Sequence, residues 1–281
     1  MIKYFHGAFF LIIASIISVA NDTVTKYVAC NTQDVVFLRS LFSSIILLPL
    51  VLYYRPKLTL ISARNHVIRA LIFGSSLMMF VYALKKLPLA LTTSINFSIP
   101  VWVVILARIF LKEQLKERLT AVVISLIGIC ITCIPIWQNG NIKMALLLII
   151  STIGFASLDV FNKYLINKEE SIIMMLFGSS FFISLFSLPF FSFTIPESTT
   201  PFVWLGIGGN LMLFFLLKAW SVCDISALQP IKFIDFPIAL YVGAQVFNDV
   251  SHAWMFVGVA ILIFGIILNI LKEAKANKAK N

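Results

Sequence analysis

"SLDVFNKYLI", residues 157–166, sets Asp159, Asn162 and Lys163 inside an apolar run that begins near Ala145. "ANDTVTKYVA", residues 20–29, writes the same Asp-x-x-x-Lys-Tyr pattern as Asp22, Lys26 and Tyr27. An acid and a base four residues apart share one face of a helix. In hydrocarbon such groups are costly unless they pair, reach an interface or face a wet cavity.

The surrounding chain is apolar throughout. Of its 281 residues, 60% are hydrophobic and 12% charged, and the mean hydropathy is +0.99. A water-soluble domain needs more charge than this to cover its surface, whereas a lipid-embedded chain does not. A helix needs about 20 apolar residues to cross a bilayer. Ten runs qualify, at roughly 5–27, 34–54, 66–84, 88–110, 119–137, 142–166, 171–193, 202–220, 225–247 and 252–271. The predicted class is an all-α polytopic membrane protein with ten transmembrane helices and no separate soluble domain. The first run follows Lys3 like a signal peptide, but it is long and continues into the Asp22 pattern, so it reads as a retained span.

The net charge of +10 reads as a topology signal rather than a nucleic-acid surface, because basic residues gather in loops and at the C-terminus. With the N-terminus cytoplasmic, the inner side holds Arg55, Lys57, Arg64, Lys112, Lys116, Arg118 and Lys168, and the tail adds Lys272, Lys275, Lys278 and Lys280. Lys85, Lys86 and Lys143 fall outside. Both termini are therefore expected in the cytoplasm. Cys130 and Cys133 form a C-x-x-C in an apolar helix without other metal ligands, which suits core filling. His6, His66 and His252 lie near segment ends with no partner visible in the sequence. No catalytic constellation, metal site or phosphate loop is present, so no enzyme activity and no cofactor are expected.

A shift of 137 residues carries Asp22 to Asp159, Lys26 to Lys163, Ala90-Leu91 to Ala227-Leu228, Pro100 to Pro237 and Phe110 to Phe247. The shared offset predicts two five-helix repeats, 1–137 and 138–281. Five is odd, so the second copy enters the membrane upside down, an arrangement typical of transporters.

Intramembrane polar residues are the candidates for function. Asp22 and Arg39 fall at similar depth, so an Asp22–Arg39 pair serves as a staple or gate. Lys26 and Lys163 are expected beside their aspartates near the helix ends. In segment 9, Lys232 and Asp235 stand three apart near the midplane, bracketed by Pro230 and Pro237. Proline disrupts the bond to the carbonyl four residues back, here those of Asn96 and Phe233. Freed carbonyls beside charges suggest a binding site on broken helices. The aromatic candidates on the same helices are Phe80, Tyr82, Phe97, Trp102, Phe214 and Phe233, with Asn96 and Gln229 as polar readers.

Ten helices, the repeat and the paired Pro100 and Pro237 resemble the EamA-type transporters of the drug/metabolite transporter superfamily over essentially the whole chain. The strings "NDTVTKY", "NFSIPVW", "SLDVFNKYLINKEESIIMMLF" and "LMLFFLLKAWSVCD" are most similar to the branch that takes up S-adenosylmethionine in obligate intracellular bacteria. The resemblance implies a secondary transporter of the bacterial inner membrane, importing S-adenosylmethionine in exchange for S-adenosylhomocysteine by alternating access. It leaves the oligomeric state open, and a monomer is compatible with it. In that reading aromatic rings stack the adenine, Asp22, Asp159 or Asp235 faces the cationic centres, Lys232 meets the carboxylate, and Asn96 and Gln229 read base or ribose edges. The alternative is an EamA-type exporter of amino acids or other small metabolites.

Overall fold

A computed structural model describes residues 2–56, 59–111, 119–132, 134, 142–193, 198–222, 225–228, 232, 234–249 and 252–278. Its helices are α1 (Ile2–Tyr27), α2 (Thr32–Tyr54), α3 (Leu60–Leu84), α4 (Leu89–Asn96), α5 (Ile99–Leu111) and α6 (Leu119–Thr132). They continue as α7 (Ile142–Asn167), α8 (Ile172–Ser187), α9 (Thr200–Val222), α10 (Ile225–Leu228), α11 (Asp235–Phe247) and α12 (Ala253–Lys278). Among the described residues, seven helical stretches are long and apolar enough to cross a membrane, and two shorter apolar helices follow at Ile238–Phe247 and Ala253–Gly265. The chain is a multi-pass membrane protein. Phe9, Trp204, Tyr241 and Phe264 are each more than half exposed, which suits side chains that face lipid.

Two of the expected continuous spans are interrupted. The 88–110 run breaks at Phe97–Ser98 into α4 and α5, where the Phe97 and Ser98 amides bond three residues back, to Ser94 at 3.3 Å and Ile95 at 2.9 Å. The 225–247 run divides into α10 and α11. The prolines do not kink these helices. Pro100 is the second residue of α5 and Pro237 the third of α11. Amides in a first turn have no intrahelical partner to lose, so proline is tolerated there.

Packing follows from small residues and apolar faces. α1 lies along α9, α3 along α7, α2 along α8 and α9, and α3 also along α8. The broken pair α4 and α11 meet each other, and α6 pairs with α12. A Cβ at Gly206 of α9 would stand 2.8 Å from the Ser43 backbone nitrogen, so α2 and α9 approach at backbone distance. Between α6 and α12, a Cβ on Gly128 would meet the Gly258 carbonyl oxygen at 2.7 Å.

The two ends of the bundle are tied by different chemistry. At one end, Asp249 accepts from Lys26 Nζ at 2.7 Å and from the Leu89 amide at 2.7 Å. One carboxylate thus joins α1, the N-terminus of α4 and the α11–α12 turn, where a negative charge also suits the α4 dipole. Lys26 therefore pairs with Asp249, not with Asp22 one turn back; its ammonium also sits 4.5 Å from the Phe247 ring centroid. Lys85 donates to the Val28 and Cys30 carbonyls beyond the end of α1, at 2.7 and 2.6 Å. Burial pulls its ammonium below the usual lysine range. Lys86 donates to the Tyr82 hydroxyl at 2.7 Å. The lysines that oppose the charge bias thus have local structural work.

At the other end α3 begins six residues earlier than its apolar run, so Arg64 and His66 are helical. Thr59 caps it by accepting from the Ser62 amide at 3.1 Å. Ser62 donates to Glu170 at 2.6 Å, and His66 Nε2 lies 3.3 Å from the same oxygen. His66 is fully buried and has partners that its position in the sequence did not disclose. Cys130 is exposed rather than core-filling, and Cys133 and Cys223 lie outside the described residues.

Hydrogen bonds to charged groups contribute about 1.5–3 kcal/mol each. Asp249→Ala is therefore expected to lower the thermal unfolding midpoint in detergent. Asp249→Asn, which keeps an acceptor for the Leu89 amide, is expected to lower it less. Equal midpoints for Asp249→Ala and the parent would show that this tie contributes nothing.

Candidate functional site

A cavity of about 160 Å³ lies at the level of the α4–α5 and α10–α11 breaks. One face of α1 supplies Leu11, Ala14, Ser15, Ser18, Asn21 and Asp22. Their spacing is that of a single helical stripe. α7 faces it with Phe155, Leu158, Asp159 and Asn162 at the same periodicity, and α3 adds Phe73, Leu77 and Phe80. The breaks contribute Asn96, Phe97, Lys232 and Asp235, and α2 contributes Arg39.

The charges are arranged across helices, not along them. Asp159 is 5% exposed and its Oδ2 takes Lys232 Nζ at 3.4 Å. Lys232 therefore turns to α7, not to Asp235 three residues on, and its ammonium lies 5.7 Å from the centroid of the Trp220 indole ring. Lys163 does not hold Asp159; it donates to the Trp220 carbonyl at 2.8 Å. The fields of Arg39 and Asp235 both act on Asp22, but no hydrogen bond or ion pair joins Asp22 to Arg39 among the described residues. The expected direct Asp22–Arg39 pair is thus replaced by two charges that share a wall. Asp235 faces the Ser15 hydroxyl.

Several polar atoms in this wall are unmatched. Asn21 Nδ2, Asn96 Oδ1, Asn162 Nδ2 and Asp235 Oδ1 are buried without a hydrogen-bond partner among the described residues. All four residues line the cavity. A buried, unpaired donor or acceptor costs roughly 1–3 kcal/mol, so such a cluster around one hollow marks a place for a polar guest. Asn162 is held on its other side, where its Oδ1 accepts from Arg69 Nε at 2.7 Å. Arg69 is completely buried and also donates to the Met175 carbonyl at 2.8 Å.

The apolar part of the wall is aromatic. Phe155 sits edge-on to Phe73 and to Phe80, with centroids 6.1 and 5.9 Å away. Phe97 lines the cavity and meets Phe236 edge-on at 5.9 Å. The other aromatic candidates stand elsewhere. Tyr82 is 38% exposed at the Asp249 end. Trp102 donates to Ser98 Oγ at 3.2 Å and is not part of the lining, and Phe214 packs on Phe215 and under Lys218. Gln229 and Phe233 lie outside the described residues.

Sequence reasoning missed Ser15, Ser18, Asn21, Phe73, Phe155 and Arg69, and noted Asn162 only as the polar residue between Asp159 and Lys163. For α1 and α7 a signal existed: extending the helical stripe from Asp22 and from Asp159 reaches Ser15, Ser18, Phe155 and Asn162. For Arg69 the signal was its charge inside the 66–84 run, close to the start of that span.

Residues 5–134 match the EamA-like transporter family. An S-adenosylmethionine uptake transporter of Rickettsia conorii is 34% identical over 288 residues, covering 99% of this chain and 97% of that protein. One of Rickettsia bellii is 33% identical over 287 residues, with the same coverage. A riboflavin transporter of Brucella anthropi is 26% identical over 70% of this chain and 73% of that protein. A crystal structure of a protein 14% identical to this chain superposes with a TM-score of 0.64, covering 96% of this chain and 98% of the other; that likeness is one of fold.

The Lys232–Asp159 contact is open to a double-mutant cycle. Lys232→Met and Asp159→Asn are each expected to lower thermal stability, and the double variant less than their sum, with a coupling of about 0.5–3 kcal/mol. Strict additivity would mean that the two side chains act independently.

Proposed function

The chain belongs to the EamA-like transporter family and is a transporter, not an enzyme; from that premise we propose that it imports S-adenosylmethionine in exchange for S-adenosylhomocysteine, by alternating access across a bacterial inner membrane with both termini in the cytoplasm. The observation that carries the reading is the unmatched polar wall of the central cavity. S-adenosylmethionine brings what that wall lacks: ring nitrogens and an amine on the adenine, ribose hydroxyls, a carboxylate and two cationic centres. Three aspartates against one arginine and one lysine leave the lining one formal negative charge. The ligand, with sulfonium, ammonium and carboxylate, carries one net positive charge. Phe73, Phe80, Phe97 and Phe155 offer ring faces or edges to adenine and to the sulfonium. The S-adenosylmethionine uptake transporters of Rickettsia, similar over nearly the full length, support this choice.

The packing supports two inverted five-helix repeats, 1–137 and 138–281, and ten spans. Under the 137-residue shift, the α1–α9 contact maps onto α7–α3, α2–α9 onto α8–α3, α5–α7 onto α11–α1 and α4–α11 onto α10–α5, while α2–α8 and α6–α12 map onto themselves. The breaks at α4–α5 and α10–α11 fall at matching positions under the same shift. The family match to residues 5–134 agrees with a unit of that length. Motion is required in this reading. Sites that enclose a drug-sized ligand measure roughly 300–1,000 Å³, more than the 160 Å³ of this cavity. The Asp249 tie at one end and the Glu170 cluster at the other are the contacts that must open in turn.

The second reading is an EamA-type exporter of amino acids or other small metabolites; the similarity to a riboflavin transporter favours its other cargo, since the same rings could stack an isoalloxazine, and says nothing of direction. Vesicles containing the purified protein and preloaded with S-adenosylhomocysteine are expected to accumulate labelled S-adenosylmethionine. External S-adenosylhomocysteine should compete and methionine should not. Asp235→Asn is expected to cut that uptake roughly tenfold or more while the protein remains folded in the membrane. Absence of uptake by the parent protein overturns the substrate, and undiminished uptake by Asp235→Asn removes Asp235 from the site.

A further inference from the structure

The two cations of the cavity are not equivalent. Lys232 is already engaged by Asp159 at 3.4 Å and by the Trp220 ring. Arg39 accepts no such service: among the described residues no carboxylate, carbonyl or hydroxyl oxygen takes a hydrogen bond from its guanidinium. It is half-buried between helices. Its Nη2 lies against α9 at Gly209, where a Cβ would stand 3.2 Å away. With Phe73, Leu77, Met212 and Leu213 it lines both the main cavity and a second hollow of about 30 Å³, whose lining also holds Ser43 and Asn210, bonded to each other at 2.6 Å. A guanidinium offers five donors in a planar fork that matches a carboxylate bidentately, while a lysine offers a point charge. A half-buried guanidinium that faces a cavity without an acceptor is poised to take an anion. Beside it, Asp22 is half-buried, likewise without a direct partner, and within the field of both Arg39 and Asp235.

We propose that Arg39 and Asp22 form a zwitterion clamp for the α-amino-acid end of the substrate. Arg39 takes the carboxylate through its guanidinium fork and Asp22 takes the ammonium. Lys232, held by Asp159, is a wall residue and not the carboxylate partner. The clamp leaves Asp235 and the Phe73–Phe80–Phe155 group for the sulfonium and the adenine. It explains why Asp22 and Arg39 share the wall without closing on each other: the substrate's two charges fit between them. A nucleoside lacking the amino-acid end would then bind poorly despite a good adenine fit.

The inference rests on the S-adenosylmethionine reading, and the test separates the two. Uptake of labelled S-adenosylmethionine into vesicles is competed by unlabelled S-adenosylmethionine and by decarboxylated S-adenosylmethionine, which lacks only the carboxylate. With the parent protein, the decarboxylated compound is expected to require a concentration roughly tenfold to a hundredfold higher. Arg39→Met should weaken S-adenosylmethionine by a similar factor and leave the decarboxylated compound within roughly twofold, erasing the discrimination; Arg39→Lys should restore part of it. Equal competition by the two compounds at the parent protein overturns the clamp, as does an Arg39→Met variant that weakens both alike. If Arg39→Met does not accumulate folded, Arg39→Lys decides: reduced discrimination between the two compounds supports the clamp, and discrimination equal to the parent's overturns it. A parent protein that takes up no S-adenosylmethionine defeats the substrate reading itself.

Discussion

An ion held in hydrocarbon must find its counter-charge, and the arrangement of this bundle follows from how far that requirement is met. At the Asp249 end of the bundle it is met. Lys26 and the α4 amide share Asp249, and Lys85 spends its protons on the carbonyls after α1. Within the cavity it is met in part. Lys232 reaches Asp159, while Asp22, Arg39 and one oxygen of Asp235 keep their hydrogen-bonding capacity open. Matching these groups inside the protein would have made a more stable helix bundle with nothing left to bind.

The broken helices make that incomplete matching possible. A continuous helix presents only side chains, because its backbone groups bond each other. At Phe97–Ser98 the chain turns, and α5 begins again at Ile99 with proline second. The break brings Asn96 and Phe97 to the cavity from a turn rather than from a helical stripe. α11 does the same from the opposite side, with Asp235 as its first residue. The N-terminus of α11 carries a partial positive charge, which helps hold a carboxylate at a depth where it would otherwise be expelled.

Hydropathy made the spans legible, since apolar runs of this length have no other stable setting. The cost of buried charge made Asp22, Asp159, Lys232 and Asp235 legible as residues of interest, and all four line the cavity. Their partners were not legible. Adjacency along a helix suggested Lys26 for Asp22 and Lys163 for Asp159, yet both lysines are long enough to reach other segments, and tertiary contacts between residues over 50 positions apart decided the outcome. Aromatic residues failed for a related reason. Tyr82 and Trp102 lie on the right helices but at the wrong angle, and one helical position turns a side chain by about 100°. Arg69 fell inside the expected 66–84 span, and its partners Asn162 and Met175 lie over 90 positions away, so only the fold shows what it holds.

The formal charge of the lining bears on energetics as well as recognition. Under the exchange reading, the cavity loaded with S-adenosylmethionine is formally neutral, while the cavity loaded with uncharged S-adenosylhomocysteine keeps one negative charge. Each turnover then carries one positive charge inward. A membrane potential negative inside supplies about 2.3 kcal/mol per 100 mV for that charge, enough to favour accumulation of the methyl donor even when the two pools are similar in size. The voltage acts on the limb that returns the negatively charged lining. A neutral lining would place the charge movement on the loaded limb instead, and would give up the electrostatic preference for the cationic substrate over its neutral product. Under that reading the excess carboxylate selects the cationic substrate and sets which limb the voltage acts on, while the charge carried per turnover is fixed by the two ligands.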